Sequence, residues 1–405
     1  MAKIIILGGC GVVGSIAVRN LITFPEFSEV VIGDINIEKA QDIAKNIGSE
    51  KIQIRKVDAL DPNSLKSAMK DFDIVLNCIG PFYRFAPLIL KAAIAAGKNY
   101  VDVNDDVDAT IEVLKMDEDA KQANITALIG MGSSPGISNL LVKFAADHFL
   151  DEMDSIDLYH AHGGEPVEGP GVVFHRIHSM SIDIPVFIDG KLKTVNFFGD
   201  DGKALEEDID FKKLGEYHCH PYPHPEIITF PKYFKGLKRV TNKGTVIPPE
   251  YFYLITEIVR LGLTDEKPIE IKGNMISPLD FAISYIINQR ERILKEMNFG
   301  IQRGCLKIVI KGKKDGKPHH YVFSLASRGQ SMGEGTGIPA AIGALLITRN
   351  LITEKGVLPP EACVNPLEFL GIMQELLKLD SATGEGSPLI IESIDEKGNV
   401  ETISI

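Results

Sequence analysis

The sequence predicts an α/β protein in which a doubly wound parallel sheet is joined to a second, α+β domain with a mixed or antiparallel sheet. Short apolar runs alternate with amphipathic stretches over the first hundred residues, a pattern typical of parallel β-α-β units. From about residue 128 shorter, alternating stretches separated by turn residues replace that pattern. With 405 residues the chain is also longer than one ordinary core accommodates, so we expect two domains.

Each element of the first part has its own signal in the sequence. The continuous apolar run Ile4–Leu7 is typical of a central parallel strand that is covered on both faces. Periodic apolar residues then predict helices, and short β-branched runs between turn residues predict strands. In order along the chain these are a helix over 12–24, a strand over 29–33, a helix over 35–47, a strand over 52–57, a helix over 64–69 capped by Asp61 or Asn63, and a strand over 74–78.

A glycine-rich motif lies between the first strand and the first helix. Gly9-Cys10-Gly11-Val12-Val13-Gly14 has the spacing G-x-G-x-x-G, and Asp34 follows its last glycine by 34 − 14 = 20 residues. In this setting the motif is that of a Rossmann dinucleotide-binding site, with the pyrophosphate at the helix N-terminus and the acidic side chain on the ribose. The carboxylate of Asp34 repels a 2′-phosphate, which favours NAD and leaves NADP possible. The alternative is a glycine-rich turn without a ligand.

Composition and charge exclude several classes of partner. The formal net charge of −12 argues against nucleic acid and anionic membranes as main partners. No apolar run approaches the roughly 20 residues of a membrane span, and the first one is too short for a signal peptide. The five cysteines are scattered and odd in number, which indicates a reducing compartment. We therefore expect a cytoplasmic protein that acts on a small molecule.

The second part of the chain has the signals of an antiparallel sheet with helices. Alternating runs predict strands, turn residues such as Asp189-Gly190-Lys191 predict hairpins, and longer periodic stretches predict helices. The strands are expected over 155–159, 184–188, 193–198, 304–311 and 319–326, the helices at about 250–262, 280–297 and 338–350, a linker over 380–386, and a hairpin over 389–405.

Several segments together resemble the saccharopine dehydrogenase superfamily, which includes lysine 6-dehydrogenases and carboxynorspermidine or homospermidine synthases. They are Gly80-Pro81-Phe82-Tyr83-Arg84, the stretch from Lys91 to Gly97 with Tyr100-Val101-Asp102, Ser134-Pro135-Gly136-Ile137-Ser138-Asn139, and the glycine-rich stretch from Gly333 to Ala341.

The resemblance implies an NAD(P)-binding domain over 1–130 and about 331–380, an inserted substrate and dimerisation domain over 131–330, and a C-terminal hairpin over 381–405. It also implies hydride transfer between nicotinamide and a C–N bond of an amino acid or amine related to lysine or saccharopine, and a homodimer. Ser134 replaces a residue that is typically Asp in saccharopine reductases, and the region around Arg176 also differs. These departures predict a substrate other than saccharopine.

Candidate catalytic residues come from strand ends and from the inserted domain. Asp102 and Asp106 end a strand on the cofactor side of the sheet and are predicted to orient or deprotonate the amine; their alternative is a helix cap. His175 is predicted to carry a proton, with an exposed strand around it as the alternative.

Other residues are predicted to bind the substrate or the cofactor. Arg84, Ser134 and Arg176 are candidates for the substrate, and for Arg84 a surface ion pair is the alternative. Asn77, at the end of the fourth strand, is a candidate for binding the cofactor, and Gly80-Pro81 resembles the family's loop that lies against the nicotinamide ribose.

Seven of the ten histidines fall between His160 and His224. His218, Cys219, His220 and His224 are zinc-ligand types, but prolines interrupt the segment and no second ligand pair has a familiar spacing. We interpret it as a proline-rich loop with partly exposed imidazoles and expect no metal.

The sequence thus predicts an NAD(P)-dependent oxidoreductase acting on a CH–NH or CH–NH₂ group. Two alternatives remain at this point: an imine-forming polyamine-type synthase, and a non-catalytic Rossmann protein that senses NAD(H).

Overall fold

The computed structural model describes residues 1–164, 169–328, 332–380 and 389–403. The chain divides into two compact units. Unit 1 comprises Met1–Phe144 and Met332–Gly384, and unit 2 comprises Ala145–Ser331 and Glu385–Ile405. In this division the first boundary falls between Phe144 and Ala145, inside a helix.

Unit 1 is built mainly from alternating strands and helices. In chain order they are β1 (Ala2–Leu7), α1 (Val12–Leu21), β2 (Phe27–Asp34), α2 (Ile37–Ile47), β3 (Ile52–Lys56), α3 (Pro62–Met69), β4 (Ile74–Asn77), α4 (Phe82–Ala96), β5 (Asn99–Asp102), α5 (Val107–Leu114), α6 (Asp117–Gln122) and β6 (Thr126–Leu128), followed by α7 (Ile137–His148), which crosses the unit boundary.

Unit 2 holds the antiparallel elements, and the chain then returns to unit 1 before its last hairpin. The elements are β7 (Glu152–Gly163), α8 (Pro170–Ser181), β8 (Ile184–Ile188), β9 (Lys191–Val195), α9 (Asp200–Lys203), β10 (Glu207–Phe211), β11 (Gly215–Pro221), α10 (Glu226–Tyr233), β12 (Arg239–Val246), α11 (Pro249–Arg260), β13 (Ile269–Ile271), β14 (Asn274–Ile276), α12 (Pro278–Glu296), β15 (Arg303–Lys314), β16 (Lys317–Arg328), α13 (Met332–Thr348), β17 (Gly356–Leu358), α14 (Pro360–Cys363), α15 (Pro366–Asp380), β18 (Leu389–Ile394) and β19 (Val400–Ile403).

The sheet of unit 1 confirms the predicted parallel, doubly wound architecture. Its seven strands lie in the order β3-β2-β1-β4-β5-β6-β17, and every pair is parallel. Leu7 is in register with Asn77, and Asn77 with Asp102, so the carboxyl ends of β1, β4 and β5 meet at one edge. Ligands of open parallel sheets bind outside this edge.

Local sequence accounts for both ends of helix α2 and for the start of helix α3. Asn36 caps α2 by accepting a hydrogen bond from the Lys39 amide at 3.0 Å, and α2 ends at Gly48 in the left-handed conformation. Of the two caps predicted for α3, Asp61 is the one used, since its carboxylate accepts from the Asn63 amide at 2.9 Å.

The sheet of unit 2 is mixed, as predicted. Its main path runs β10-β11-β12-β7-β15-β16-β18-β19, with β8 and β9 joined at the side of β12. The β7–β12 pair is parallel and the others are antiparallel. Asp189 and Gly190 turn the β8–β9 hairpin with positive φ at both positions, as the sequence indicated.

Two predictions for unit 2 were wrong. The segment around His175 and Arg176 is not an exposed strand but helix α8, because Val173, Ile177 and Met180 bury one helical face. His218 and His220 lie in strand β11 and not in a proline-rich loop, and His224 is buried. The linker expected over 380–386 lies, except for Asp380 in α15, outside the described residues. The C-terminal hairpin extends the sheet of unit 2.

Candidate active site

The glycine motif forms the turn between β1 and α1. Helix α1 begins after Gly11, a residue without a side chain to cap the helix. A Cβ on Gly14 would lie 2.3 Å from the Gly8 carbonyl oxygen, so only glycine lets the helix pack this close to the turn. Gly11 is exposed, and a Cβ there would meet one atom, the Gly8 oxygen at 3.3 Å. The open side of the turn is therefore the side where a pyrophosphate can approach α1.

Asp34 lies at the end of β2, next to this turn. One carboxylate oxygen accepts a hydrogen bond from the Cys10 amide at 3.0 Å, and the other accepts from the Asn36 amide at 3.0 Å. Cys10 itself is buried, and burial raises the pKa of its thiol to about 12, which fits a packing role. The carboxylate predicted to receive the ribose hydroxyls is thus held against the glycine turn by backbone amides.

A buried polar network lies at the carboxyl ends of β4 and β5. The Asn77 amide donates to the Tyr100 hydroxyl at 3.1 Å, and this hydroxyl donates to Asp102 at 2.8 Å. The other Asp102 oxygen accepts from the Gly130 amide at 2.7 Å and from the Asn104 amide at 3.1 Å. The carboxylate therefore joins the ends of two strands to the loop that follows β6.

Burial controls the protonation of this network. Desolvation is the main influence on Asp102 and raises its pKa to about 6, although the Gly130 and Asn104 amides and the Tyr100 hydroxyl oppose the shift. Burial also raises the pKa of Tyr100 well above its ordinary value, and the Asp102 charge adds to that effect. Asp102 consequently titrates near neutrality, but its oxygens are engaged inside the protein.

Asp106 precedes α5 and contacts a different helix. Its side chain accepts a hydrogen bond from the Tyr83 amide at 2.9 Å, in the first turn of α4. The Gly80-Pro81 segment leads into α4, and Pro81 is its N-cap. Asp106 therefore stabilises the start of α4, on the loop predicted to contact the nicotinamide ribose.

The predicted substrate residues of unit 1 are accessible to different degrees. Arg84 is exposed, with its guanidinium carbon 5.9 Å from the centre of the Tyr83 ring. Ser134 is half-buried in the loop between β6 and α7. Arg176 and His175, the other predicted residues, belong to unit 2.

Four imidazoles of unit 2 come together around Tyr222, and we call them the imidazole cluster: His160, His162, His175 and His224. The His160 ring lies 5.0 Å from the Tyr222 ring, and the His175 ring lies 5.7 Å from it. His160 is also 5.9 Å from His162 and 6.2 Å from His224, all between ring centres. The cluster joins residues from β7, from α8 and from the segment between β11 and α10.

Oppositely charged side chains flank the imidazole cluster. Arg176, which is 2% exposed, lies 3.1 Å from His162 between Nη2 and Nε2. His224 Nδ1 lies 2.5 Å from the carboxylate of the fully buried Glu226. Burial, followed by the neighbouring imidazoles, lowers the pKa of His160 well below its usual range. The cluster thus combines a neutral imidazole with one buried cation and one buried carboxylate.

Models of two protein domains match most of the chain. Residues 4–128 match the saccharopine dehydrogenase NADP-binding domain, and residues 132–379 match the saccharopine dehydrogenase C-terminal domain. The chain belongs to the saccharopine dehydrogenase family. The family predicted from the sequence is therefore confirmed, and with it an NAD(P)-dependent oxidoreductase as the class of protein.

Individual relatives cover almost the whole length of this family member. It is 23% identical to carboxyaminopropylagmatine dehydrogenase of Synechocystis over 396 residues, covering 93% of this chain and 96% of the relative. It is 26% identical to carboxynorspermidine synthase of Vibrio cholerae, covering 85% of this chain and 89% of the relative. Apo saccharopine dehydrogenase (L-Glu forming) from Saccharomyces cerevisiae has a similar fold, with a TM-score of 0.67, 19% identity and complete coverage of both chains.

The residues of unit 1 fit the nicotinamide dinucleotide that this family uses. The open glycine turn, the α1 N-terminus and the amide-held Asp34 are the groups that would hold the pyrophosphate and the ribose. Within the described residues no helix is long and apolar enough to cross a membrane. All five cysteines are free.

The sequence analysis did not identify the side chains that contact the predicted site residues. The strand pattern alone assigns no role to Tyr100, although its place two residues before Asp102 puts both side chains on one face. The i, i+2 spacing of His160 and His162 at the end of β7 was a similar signal. Tyr222 and Glu226 gave no signal, because only the fold brings them to the imidazoles.

Proposed function

We propose that this chain reduces an imine formed between an amine and a carbonyl compound, giving a polyamine-type product that carries a carboxyl group. The two full-length relatives carry the proposal, since both are named for carboxylated polyamines. The reaction reduces the C=N bond to a secondary amine. A reduced nicotinamide cofactor held at the glycine turn and Asp34 would supply the hydride to carbon, and nitrogen would take up one proton. Read in reverse, it is the amine dehydrogenation that the sequence predicted.

Charged residues of unit 2 support a substrate with ends of opposite charge. Arg176 is a buried guanidinium, the group best shaped for a carboxylate. Glu226 is a buried carboxylate beside His224, and a carboxylate stabilises a cationic amine. We therefore assign the substrate carboxyl group to Arg176 and an amino group to the Glu226 side of the cluster.

We assign proton transfer in this reaction to side chains of the candidate active site. We propose His175 for the proton on nitrogen, because an imidazole exchanges protons near neutrality. Asp102 is proposed as a positioning residue that holds the β5 and β6 loops, and Asp106 as a second candidate for proton transfer. Arg84 and Ser134 remain candidates for the remainder of the substrate.

The experiment that tests this function is a coupled screen at 340 nm. Pairs of a diamine or agmatine with an amino-acid aldehyde are offered with NADH or NADPH, and saccharopine and lysine with NAD or NADP. We expect oxidation of the reduced cofactor with the polyamine-type pairs and mass-spectrometric detection of a carboxylated secondary amine. Turnover with lysine or saccharopine alone would contradict the polyamine assignment and support the amino-acid dehydrogenase.

Replacing Arg176 is expected to act on the carboxyl end of the substrate. In Arg176→Lys the charge remains but bidentate binding is lost, so we expect KM for the carboxylated substrate to rise at least about 10-fold, a loss of about 1.4 kcal/mol. KM for the reduced cofactor should stay unchanged. Arg292→Lys is the control, since Arg292 is exposed on α12 and pairs with Glu296. Equal changes in the two variants would contradict the assignment.

Asp34 is expected to determine the choice between the two cofactors, with NAD preferred. Replacing Asp34 by serine removes the charge that repels a 2′-phosphate, so the ratio of the NADPH and NADH dissociation constants should shift at least about 10-fold toward NADPH. Asp42→Ser, an exposed acidic position on α2, is the control and should leave the ratio unchanged. A parallel loss of both cofactors in Asp34→Ser would show that the carboxylate only holds the turn.

We also propose that the protein is located in the cytoplasm and forms a homodimer. Five free cysteines support a reducing compartment. Sedimentation of the purified chain tests the dimer directly.

A further inference from the structure

A second group of histidines lies in unit 2, at the edge of its sheet. His218 and His220 project from the same face of β11, since they are two residues apart in one strand. Glu206 precedes β10, the edge strand that pairs with β11. The ligand atoms of Glu206, His218 and His220 all lie within 4.8 Å of one another. This group is separate from the imidazole cluster in its residues and is not used by the proposed reaction.

The Glu206 carboxylate already bridges the two imidazoles. One oxygen lies 2.8 Å from His220 Nδ1, and the other lies 3.4 Å from His218 Nε2. Ligands of a tetrahedral zinc ion at bond lengths of about 2.0–2.1 Å are separated by about 3.3 Å, so the three donors need only small shifts to surround an ion. We propose that Glu206, His218 and His220 bind a divalent transition-metal ion of the zinc type.

The surroundings of His218 support a metal site and not merely an ion pair. Its second ring nitrogen, Nδ1, lies 2.7 Å from the Asp208 carboxylate. A metal-bound histidine characteristically donates its other N–H to a carboxylate, which sets the tautomer and strengthens the ligand.

The second imidazole is fixed by packing. The His220 ring stacks on Phe252 with ring centres 4.8 Å apart, and the Phe197 ring lies 5.6 Å away. His218 has 44% of its side chain exposed, so an ion can enter from solvent and keep water in a fourth position.

The ligand set differs from the one that the sequence indicated. Cys219 points to the opposite face of β11 and is buried, so its sulfur lies away from the three ligand atoms. His224 is bound to Glu226. The segment over 218–224 therefore contributes two ligands, and the third comes from Glu206. Nitrogen and oxygen donors of this kind suit Zn²⁺, Co²⁺ or Ni²⁺ better than Ca²⁺ or Mg²⁺.

A metal ion bound at this site would link strands β10 and β11 at the edge of the sheet of unit 2. Glu206 and Asp208 belong to the β10 side, while the two histidines belong to β11. An ion bound only by the folded chain stabilises it according to metal concentration. The site is thus assigned a structural role, in which the ion fastens the edge strand β10 to β11.

The test uses the full chain after chelator treatment and dialysis. Zn²⁺ affinity is measured by competition with a chromophoric chelator, Co²⁺ coordination by visible absorption, and stability by the melting temperature with and without Zn²⁺. We expect one Zn²⁺ per chain and a Zn²⁺-dependent rise in melting temperature. Glu206→Gln and His218→Ala should weaken binding at least about 100-fold, and Asp208→Asn about 10- to 100-fold.

His320→Ala is the matched control, because His320 is half-buried in the same sheet but outside the site. It should bind Zn²⁺ like the unaltered chain. Binding that is equal in the unaltered chain and in His218→Ala would overturn the proposal and place the ion elsewhere, for example at the imidazole cluster. Failure of the unaltered chain to bind Zn²⁺ at millimolar concentration would also overturn it.

Discussion

Replacing Gly11 by valine is expected to weaken the binding of NADH and NADPH at least about 100-fold, which is about 2.7 kcal/mol. Gly11 is exposed on the open side of the glycine turn, and its absent side chain leaves room for the pyrophosphate at the α1 N-terminus. A Cβ there meets only the Gly8 oxygen, at 3.3 Å, so the fold should be retained. The branched side chain fills the space that the phosphates need.

The measurement uses the fluorescence of NADH, since the chain contains no tryptophan whose emission could be quenched instead. Gly371→Val is the control, because Gly371 is an exposed helical glycine in α15 with no atom near its missing Cβ. We expect unchanged binding in the control and similar melting temperatures for both variants. Full NADH affinity in folded Gly11→Val would mean that the dinucleotide does not bind at this turn.

Replacing Asp102 by alanine is expected to reduce the free energy of unfolding of unit 1 by about 3 kcal/mol or more. The carboxylate is fully buried and accepts from two backbone amides and from the Tyr100 hydroxyl. Each buried donor left without an acceptor costs about 1–3 kcal/mol. Urea unfolding followed by circular dichroism measures the loss. Asp73→Ala is the control, since Asp73 is exposed and accepts from the Lys3 amide, and it should lose less than about 1 kcal/mol.

The same carboxylate makes the stability depend on pH in a predictable direction. Because burial raises its pKa to about 6, above the ordinary 3.8, the folded protein takes up a proton between these values that the unfolded chain does not. This contribution stabilises the fold as the pH falls from 7 to 4 and is lost as the pH rises through 6. Asp102→Asn cannot take up the proton, so the stability of the unaltered protein relative to this variant should rise as the pH falls toward 4. A constant difference would contradict the raised pKa.

The same asparagine variant separates positioning from proton transfer. Its amide oxygen still accepts from the Asn104 and Gly130 amides, while its NH₂ group meets the Tyr100 hydroxyl. If Asp102 only positions the loops, kcat should fall modestly and the pH–rate profile should keep its shape. Loss of one limb of that profile would assign the proton to Asp102 itself.

The sequence by itself determined the nucleotide half of the protein. The motif from Gly9 to Gly14, the acidic residue 20 positions later and the alternating periodicities are all local patterns, and local patterns follow directly from the order of residues. Local patterns of the same kind indicated the family resemblance and predicted the mixed sheet of the second domain. The ends of several helices and strands of the first part were also predictable within a few residues, because caps and turns depend on one or two neighbouring residues.

Only the tertiary structure decided how the chemical groups are used. Asp102 reads in the sequence as an accessible acid at a strand end, but the Gly130 amide comes from another loop and engages it. The segment around His175 forms α8 because its apolar residues pack on α11 and α12, which lie more than 70 residues later in the chain. Glu206 reaches His218 and His220 through strand pairing. Such contacts join residues far apart in the chain, and burial and pairing, not local propensity, stabilise them.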